Sequence, residues 1–94
     1  MLQNNYKIFE TDNFIKNFNK INNSQKKNIK SKLIEKIYPQ LKIEPRFGSN
    51  IKKLKNYSPD TWRYRIGNYR LFYEIEETVK VIDIIAIETR QDAY

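Results

Sequence analysis

Apolar and polar positions alternate in two runs on either side of Gly67-Asn68. Trp62, Tyr64 and Ile66 are interleaved with Arg63 and Arg65 before the pair. Tyr69, Leu71, Tyr73 and Ile75 are interleaved with Arg70, Phe72 and Glu74 after it. A period of two is the mark of a strand with one buried face, and a Gly-Asn pair between two such runs predicts a hairpin with a two-residue loop. That loop sets the register. Ile66 faces Tyr69, Arg65 faces Arg70, Tyr64 faces Leu71 and Arg63 faces Phe72. The aromatic and aliphatic set then shares a core face, and Arg63, Arg65 and Arg70 share the opposite one. Like charges placed directly across a ladder destabilise it. Either an external anion sits on that face or the three cations share an ordinary solvated surface.

The pattern before the hairpin is helical. Residues 6–10 read as a short first strand. Thr11 or Asp12 then caps a helix with Phe14, Ile15, Phe18 and Ile21 at helical spacing. Asn22-Asn23-Ser24 breaks it, and Ser24 is the expected N-cap of a second helix. That helix carries Ile29, Leu33, Ile34, Ile37 and Leu41 on one stripe and Lys26, Lys27, Lys30, Lys32 and Lys36 around the rest. Pro39 is expected to end or kink it. Residues 45–49 form a loop, residues 51–55 a short edge strand or extended approach, and residues 56–60 a turn. After the hairpin, Glu76-Glu77-Thr78 turns the chain into a last strand over residues 79–87, whose near-continuous apolar run suits a central strand buried on both faces. Arg90 and Tyr94 follow this strand, within reach of the arginine face. The predicted fold class is α+β: a short N-terminal strand, and two antiparallel helices packed on one face of a twisted antiparallel sheet.

Composition narrows the chemistry. Ninety-four residues make one small domain, residues 1–94. There is no cysteine and no histidine, so a disulfide framework, a thiolate nucleophile and the commonest general base and metal ligand are all excluded. No metal or other cofactor is expected. No apolar run approaches the ~18 residues of a membrane span, and the N-terminus lacks a signal-peptide pattern. A cytoplasmic protein with no membrane partner is expected. The net charge of +7 favours a polyanionic partner. The cations are 13 Lys and only 5 Arg, yet three of the arginines lie in the hairpin. Arginine is a permanently charged planar fork that matches phosphate oxygens.

Three motifs carry a family resemblance that spans essentially the whole chain. They are Asn50-Ile51-Lys52-Lys53-Leu54, the run Trp62-Arg63-Tyr64-Arg65-Ile66-Gly67-Asn68-Tyr69-Arg70-Leu71-Phe72-Tyr73, and Arg90-Gln91-Asp92-Ala93-Tyr94. With the order strand, two helices, basic loop and antiparallel sheet, the chain resembles the RelE/ParE superfamily of toxins from bacterial type II toxin–antitoxin pairs. The RelE branch cleaves mRNA in the ribosomal A site, and the ParE branch poisons DNA gyrase. The resemblance looks closer to RelE. It implies a ribosome-dependent, metal-independent endoribonuclease whose partners are a cognate antitoxin, the ribosome and mRNA. Its catalytic set would be Arg63, Arg65, Arg70, Arg90 and Tyr94. The first two stand where relatives usually have lysines, and Thr89 stands where many have a histidine. Lys52, Lys53 and Lys55 would grip RNA, and Phe72, pointing with the arginines, would stack on it.

These departures matter chemically. Metal-free RNA cleavage needs the 2′-OH deprotonated, the phosphorane charge stabilised and the 5′-oxygen protonated. Arginine suits the second task but does not give up its proton in a protein. The arginines are therefore a phosphate clamp. Tyr94 is a candidate acid or base, or a stacking platform. Glu88 and Glu74 are candidate bases, or else plain counter-charges. The expected function is that of a RelE-like nuclease. The alternatives are a ParE-like gyrase poison and a superfamily member that binds antitoxin or RNA without cleaving.

Overall fold

A computed structural model of the chain describes residues 5–89. Strand β1 (Lys7–Glu10) is followed by helix α1 (Asp12–Asn19). Thr11 starts α1. Its backbone is extended, and its hydroxyl accepts the Phe14 N–H at 3.2 Å. Helix α2 (Asn23–Lys32) begins two residues earlier than Ser24 as its cap would set it. Asn22 is its cap, with Oδ1 accepting the Gln25 N–H at 3.0 Å, and Ser24 donates to the same oxygen from within the first turn.

Helix α2 does not stop or break at Pro39. It widens into a π turn over Leu33–Ile37, in which the Tyr38 N–H reaches back five residues to the Leu33 carbonyl. It then continues as α3 (Tyr38–Ile43), with Pro39 in the first turn. A proline inside an α-helix lacks the N–H for the carbonyl four residues back, and its ring collides with that carbonyl. The extra residue in the turn shifts the ladder and removes both conflicts. It also explains the buried stripe. Ile29, Leu33, Ile37 and Leu41 are all buried and are spaced by four. A strict series of four drifts around a helix of about 3.6 residues per turn, and the wide π turn takes up the drift. Ile34, expected on the stripe, is instead 56% exposed.

The sheet has five strands in the order β1-β5-β4-β3-β2. These are β2 (Ile51–Lys53), β3 (Trp62–Ile66), β4 (Tyr69–Glu76) and β5 (Val81–Thr89), with β1 at the far edge. All neighbours pair antiparallel except β1, which runs parallel to β5. The helices cover one face. Phe14, Ile29, Leu33, Ile37 and Leu41 pack there on Tyr64, Ile66, Leu71, Tyr73, Ile82, Ile84 and Ile87.

The last strand differs from its expectation. The central strand is β4, and β5 starts two residues later than residue 79. Val79 sits exposed in the turn, and Lys80 turns the chain with a positive φ of 57°. Along β5 the burial alternates, with Ile82 and Ile84 fully enclosed between half-buried neighbours. One face of β5 is therefore open. Beyond the four residues of β1, its edge is lined by α1 instead of a strand. The Thr11 hydroxyl donates to the Ile84 carbonyl at 2.8 Å, Asn13 donates to the Ile85 carbonyl at 2.9 Å, and the Ile87 N–H donates to Asn17 Oδ1 at 3.2 Å.

A bulge in β5 decides which residues face out. Phe72 pairs with Ala86 but Tyr73 pairs with Ile84, so Ile85 is an extra residue. Ile84 and Ile87, three apart, can then both face the core. In an unbulged strand Ile87 would sit opposite Arg70 and Glu88 would turn inward. With the bulge, Glu88 lies opposite Arg70.

Polar contacts fasten α3 and the loop after it to the sheet. The buried Tyr73 hydroxyl donates to the Pro45 carbonyl at 2.6 Å, and the Tyr64 hydroxyl to Gln40 at 2.7 Å. Arg46 bonds the Tyr6 hydroxyl at 3.1 Å and pairs with Glu77 at 2.9 Å. Tyr6 donates to the same carboxylate at 2.7 Å, and Lys80 both pairs with Glu77 and stands 4.9 Å above the Tyr6 ring. No helix among the described residues is long and apolar enough to cross a membrane.

Candidate functional site

The sheet face away from the helices is organised in rows by the ladder register. In the row nearest the hairpin tip, Arg65 stands opposite Arg70, and Arg70 opposite Glu88. The next row runs Lys52, Arg63, Phe72, Ala86. Below it, Glu74 stands opposite Asp83, which has Phe9 of β1 on its other side. The Asp83 carboxyl beside Glu76 favours a proton shared between the two and pushes the Glu76 carboxyl above its ordinary value. The face is thus basic at the tip end and acidic at the other, with Phe72 between.

Arg63, Arg65 and Arg70 stand together as a two-residue hairpin loop predicts, and the register agrees pair for pair. Arg65 is exposed, while Arg63, Arg70 and Phe72 are half-buried. Tyr64 and Tyr73 are buried, and Trp62 and Tyr69 pack against the same core cluster, as the alternation predicts. Lys52 joins the cluster through its pairing with Arg63. Lys53 does not. It pairs with Trp62, which belongs to the core-facing set, and its ammonium lies 3.3 Å from Asp60. Lys55 lies in the turn beyond β2 and off the face. Arg90 and Tyr94 lie outside the described residues. Of the two carboxylates considered as bases, Glu88 is in the arginine row and Glu74 is at the acidic end. Nothing in the amino-acid pattern announces the bulge that brings Glu88 there.

Chemically, this surface is suited to a phosphodiester. Two guanidinium forks from adjacent strands offer parallel N–H donors of the kind that grip phosphate oxygens. Arg63 and Lys52 extend the positive potential along the next row. Phe72 supplies an aromatic face beside them, and Glu88 supplies a proton acceptor at the end of the row. Among the described residues, no three His, Cys, Asp or Glu side chains gather to hold a metal ion.

Solved structures share this architecture. The toxin–antitoxin complex RelBE2 of Mycobacterium tuberculosis matches with a TM-score of 0.71 at 21% identity, over 92% of this chain and 99% of that one. The archaeal RelE–RelB complex of Pyrococcus horikoshii matches with a TM-score of 0.68 at 21% identity, over 92% and 96% of the two chains. The intact RelBE complex of E. coli matches with a TM-score of 0.65 at 22% identity, over 89% and 95%. At these identities the likeness establishes the fold. Comparison with curated protein sequences gives no match. The profile of one family, described as the ParE toxin of the type II toxin–antitoxin system parDE, matches residues 8–94. The match covers nearly the entire sequence, including the arginine hairpin: the chain belongs to the ParE toxin family within the RelE/ParE superfamily.

Proposed function

We propose that the protein is the toxin of a type II toxin–antitoxin pair and that it cleaves mRNA on the ribosome without a metal ion. The observation that carries this reading is the row Arg65, Arg70, Glu88. Opposed guanidinium groups are unfavourable for folding alone and become favourable when a phosphate lies between them. Arg63, Arg65 and Arg70, with Arg90, hold the scissile phosphate and stabilise the charge that builds on its oxygens. The 2′-oxygen attacks phosphorus, its proton passes to Glu88, and the bond to the 5′-oxygen breaks. The 5′-oxygen takes a proton from water, which leaves a 2′,3′-cyclic phosphate and a 5′-hydroxyl. Tyr94 stacks on a base, and the ribosome orients the RNA so that the protein supplies only part of the catalysis. Lys52 and Phe72 hold the flanking nucleotide, and Lys53 and Lys55 add positive charge beside it.

The partner in the resting state is an antitoxin. The similar structures are described as toxin–antitoxin complexes, and a chain of charge +7 with a basic sheet face suits an acidic segment that folds as it binds. The place of action is the cytoplasm, where ribosomes are found. A second reading has one specific observation in its favour: the matching family is described by ParE, so inhibition of DNA gyrase is the competing activity. The two are separated by incubating the protein with ribosomes programmed with mRNA and, in parallel, with gyrase in a supercoiling assay. Cut mRNA with intact supercoiling supports the nuclease. Uncut mRNA with blocked supercoiling overturns it.

A further inference from the structure

A second basic surface lies around the edge of β3. Strand β2 begins only at Ile51, and the Arg65 N–H is met by the carbonyl of Asn50 at 3.0 Å. Past that point the edge of β3 has no neighbouring strand, and a cleft opens between the hairpin tip and the helical layer. Lys32, Lys36, Asn50, Arg65 and Gly67 line it. Lys32 and Lys36 are four apart, at the end of α2 and in the π turn, so they present their ammonium groups from successive turns. Both are exposed. No Asp or Glu lines the cleft, and among the described residues neither lysine nor Arg65 has a carboxylate in ion-pair range. Other lysines of α2, at positions 26, 27 and 30, do not line it. A solvated helix face explains lysines at large, but not two lysines and an arginine bordering one concavity without an acid.

Arg65 belongs to both surfaces, as the partner of Arg70 on the open face and as a wall of the cleft. We propose that the cleft binds a phosphodiester of RNA flanking the one on the arginine face, so that the strand bends over the β3 edge at Arg65 with its next phosphates on Lys32 and Lys36. The proposal rests on RNA being the ligand of the arginine face. It does not rest on cleavage.

The test compares the wild-type protein with the double variant Lys32→Gln/Lys36→Gln. The probes are a trinucleotide, an unstructured single-stranded 12-mer, intact ribosomes, and a poly-glutamate peptide. Each lysine that meets a phosphate contributes about 0.7 to the salt slope of single-strand binding. The double variant should therefore bind the 12-mer on the order of 10-fold more weakly near 0.1 M salt, with a slope shallower by about 1.4. Trinucleotide binding should be unchanged. Loss confined to ribosomes would keep the phosphodiester site and identify its source as ribosomal RNA. Equal binding of every RNA by variant and wild type overturns the proposal. So does a loss for the peptide alone, or a wild-type protein that binds no RNA. A protein that shows the 12-mer effect yet never cuts programmed ribosomes retains this site and loses the proposed activity.

Discussion

Arg65 and Arg70 stand directly opposite each other across the β3–β4 ladder, and Glu88 faces Arg70 from β5. The repulsion between the two arginines and the opposite charge of Glu88 across from Arg70 act against each other. Arg70→Ala should therefore leave the protein folded with its stability changed by no more than about 1 kcal/mol. The same variant should lose growth arrest and ribosomal cleavage. Denaturant unfolding and a cleavage assay on one preparation check both. A folded Arg70→Ala protein that still cuts at the wild-type rate would remove Arg70 from the site.

Glu88→Gln tests the proton acceptor. The substitution keeps the shape of the side chain and removes its basicity. Cleavage should fall by about 10²–10⁴-fold, the range typical of general acid–base groups. RNA binding should tighten slightly, because a negative charge leaves the row. Single-turnover cleavage decides it. A wild-type rate in the Glu88→Gln protein would reduce Glu88 to a counter-charge for Arg70.

Two glutamates one residue apart should move acid stability in opposite directions. Glu77 is held down to about 2 by bonds from Lys80, Tyr6 and Arg46, below its ordinary 4.5. Its folded value is depressed, so its contribution is complete above 4.5 and is lost as pH falls towards 2. Glu77→Gln should therefore lower the urea midpoint at neutral pH and flatten its fall in acid. Glu76 is pushed up by Asp83, so ionising it opposes folding as pH rises, and Glu76→Gln should raise the neutral-pH midpoint. Urea titrations between pH 2 and 7, as a set of about five points, read both signs at once.

Tyr94 is assigned to stacking. Tyr94→Phe should then cleave at nearly the wild-type rate, while Tyr94→Ala loses roughly 1–3 kcal/mol of base contact. A severe loss with Phe at unchanged ribosome binding would instead make the phenol an acid or base.

The parts of the fold that were legible are those set by side-chain period. A period of two with a two-residue loop leaves one register, so the pairs Arg65–Arg70 and Arg63–Phe72 follow from the amino acids alone, and the core face with them. The parts that were not legible are those where the backbone departs from its period. Pro39 reads as a stop or a kink because a regular α ladder cannot pass it, and the π turn ahead of it lets the helix run on to Ile43. The run from Val79 to Ile87 reads as buried on both sides because a bulge can seat Ile84 and Ile87 on one face without leaving any trace in composition. Lys52 and Lys53 look equivalent in the chain, yet the pleat sends only Lys52 to the arginines.

The replacement of a strand by α1 along β5 also bears on solubility. Residues 84–87 form an apolar, β-branched stretch with no charge, the kind of edge on which a second chain can add a strand and begin an aggregate. The side chains of Thr11, Asn13 and Asn17 already occupy its outward carbonyls and N–H groups. At the opposite margin, three-residue β2 carries two lysines. The stretch of β5 beyond β1 and the β2 margin are thereby made poor templates for uncontrolled strand addition, and the toxin can keep one sheet face open without inviting its own copies to pair along them.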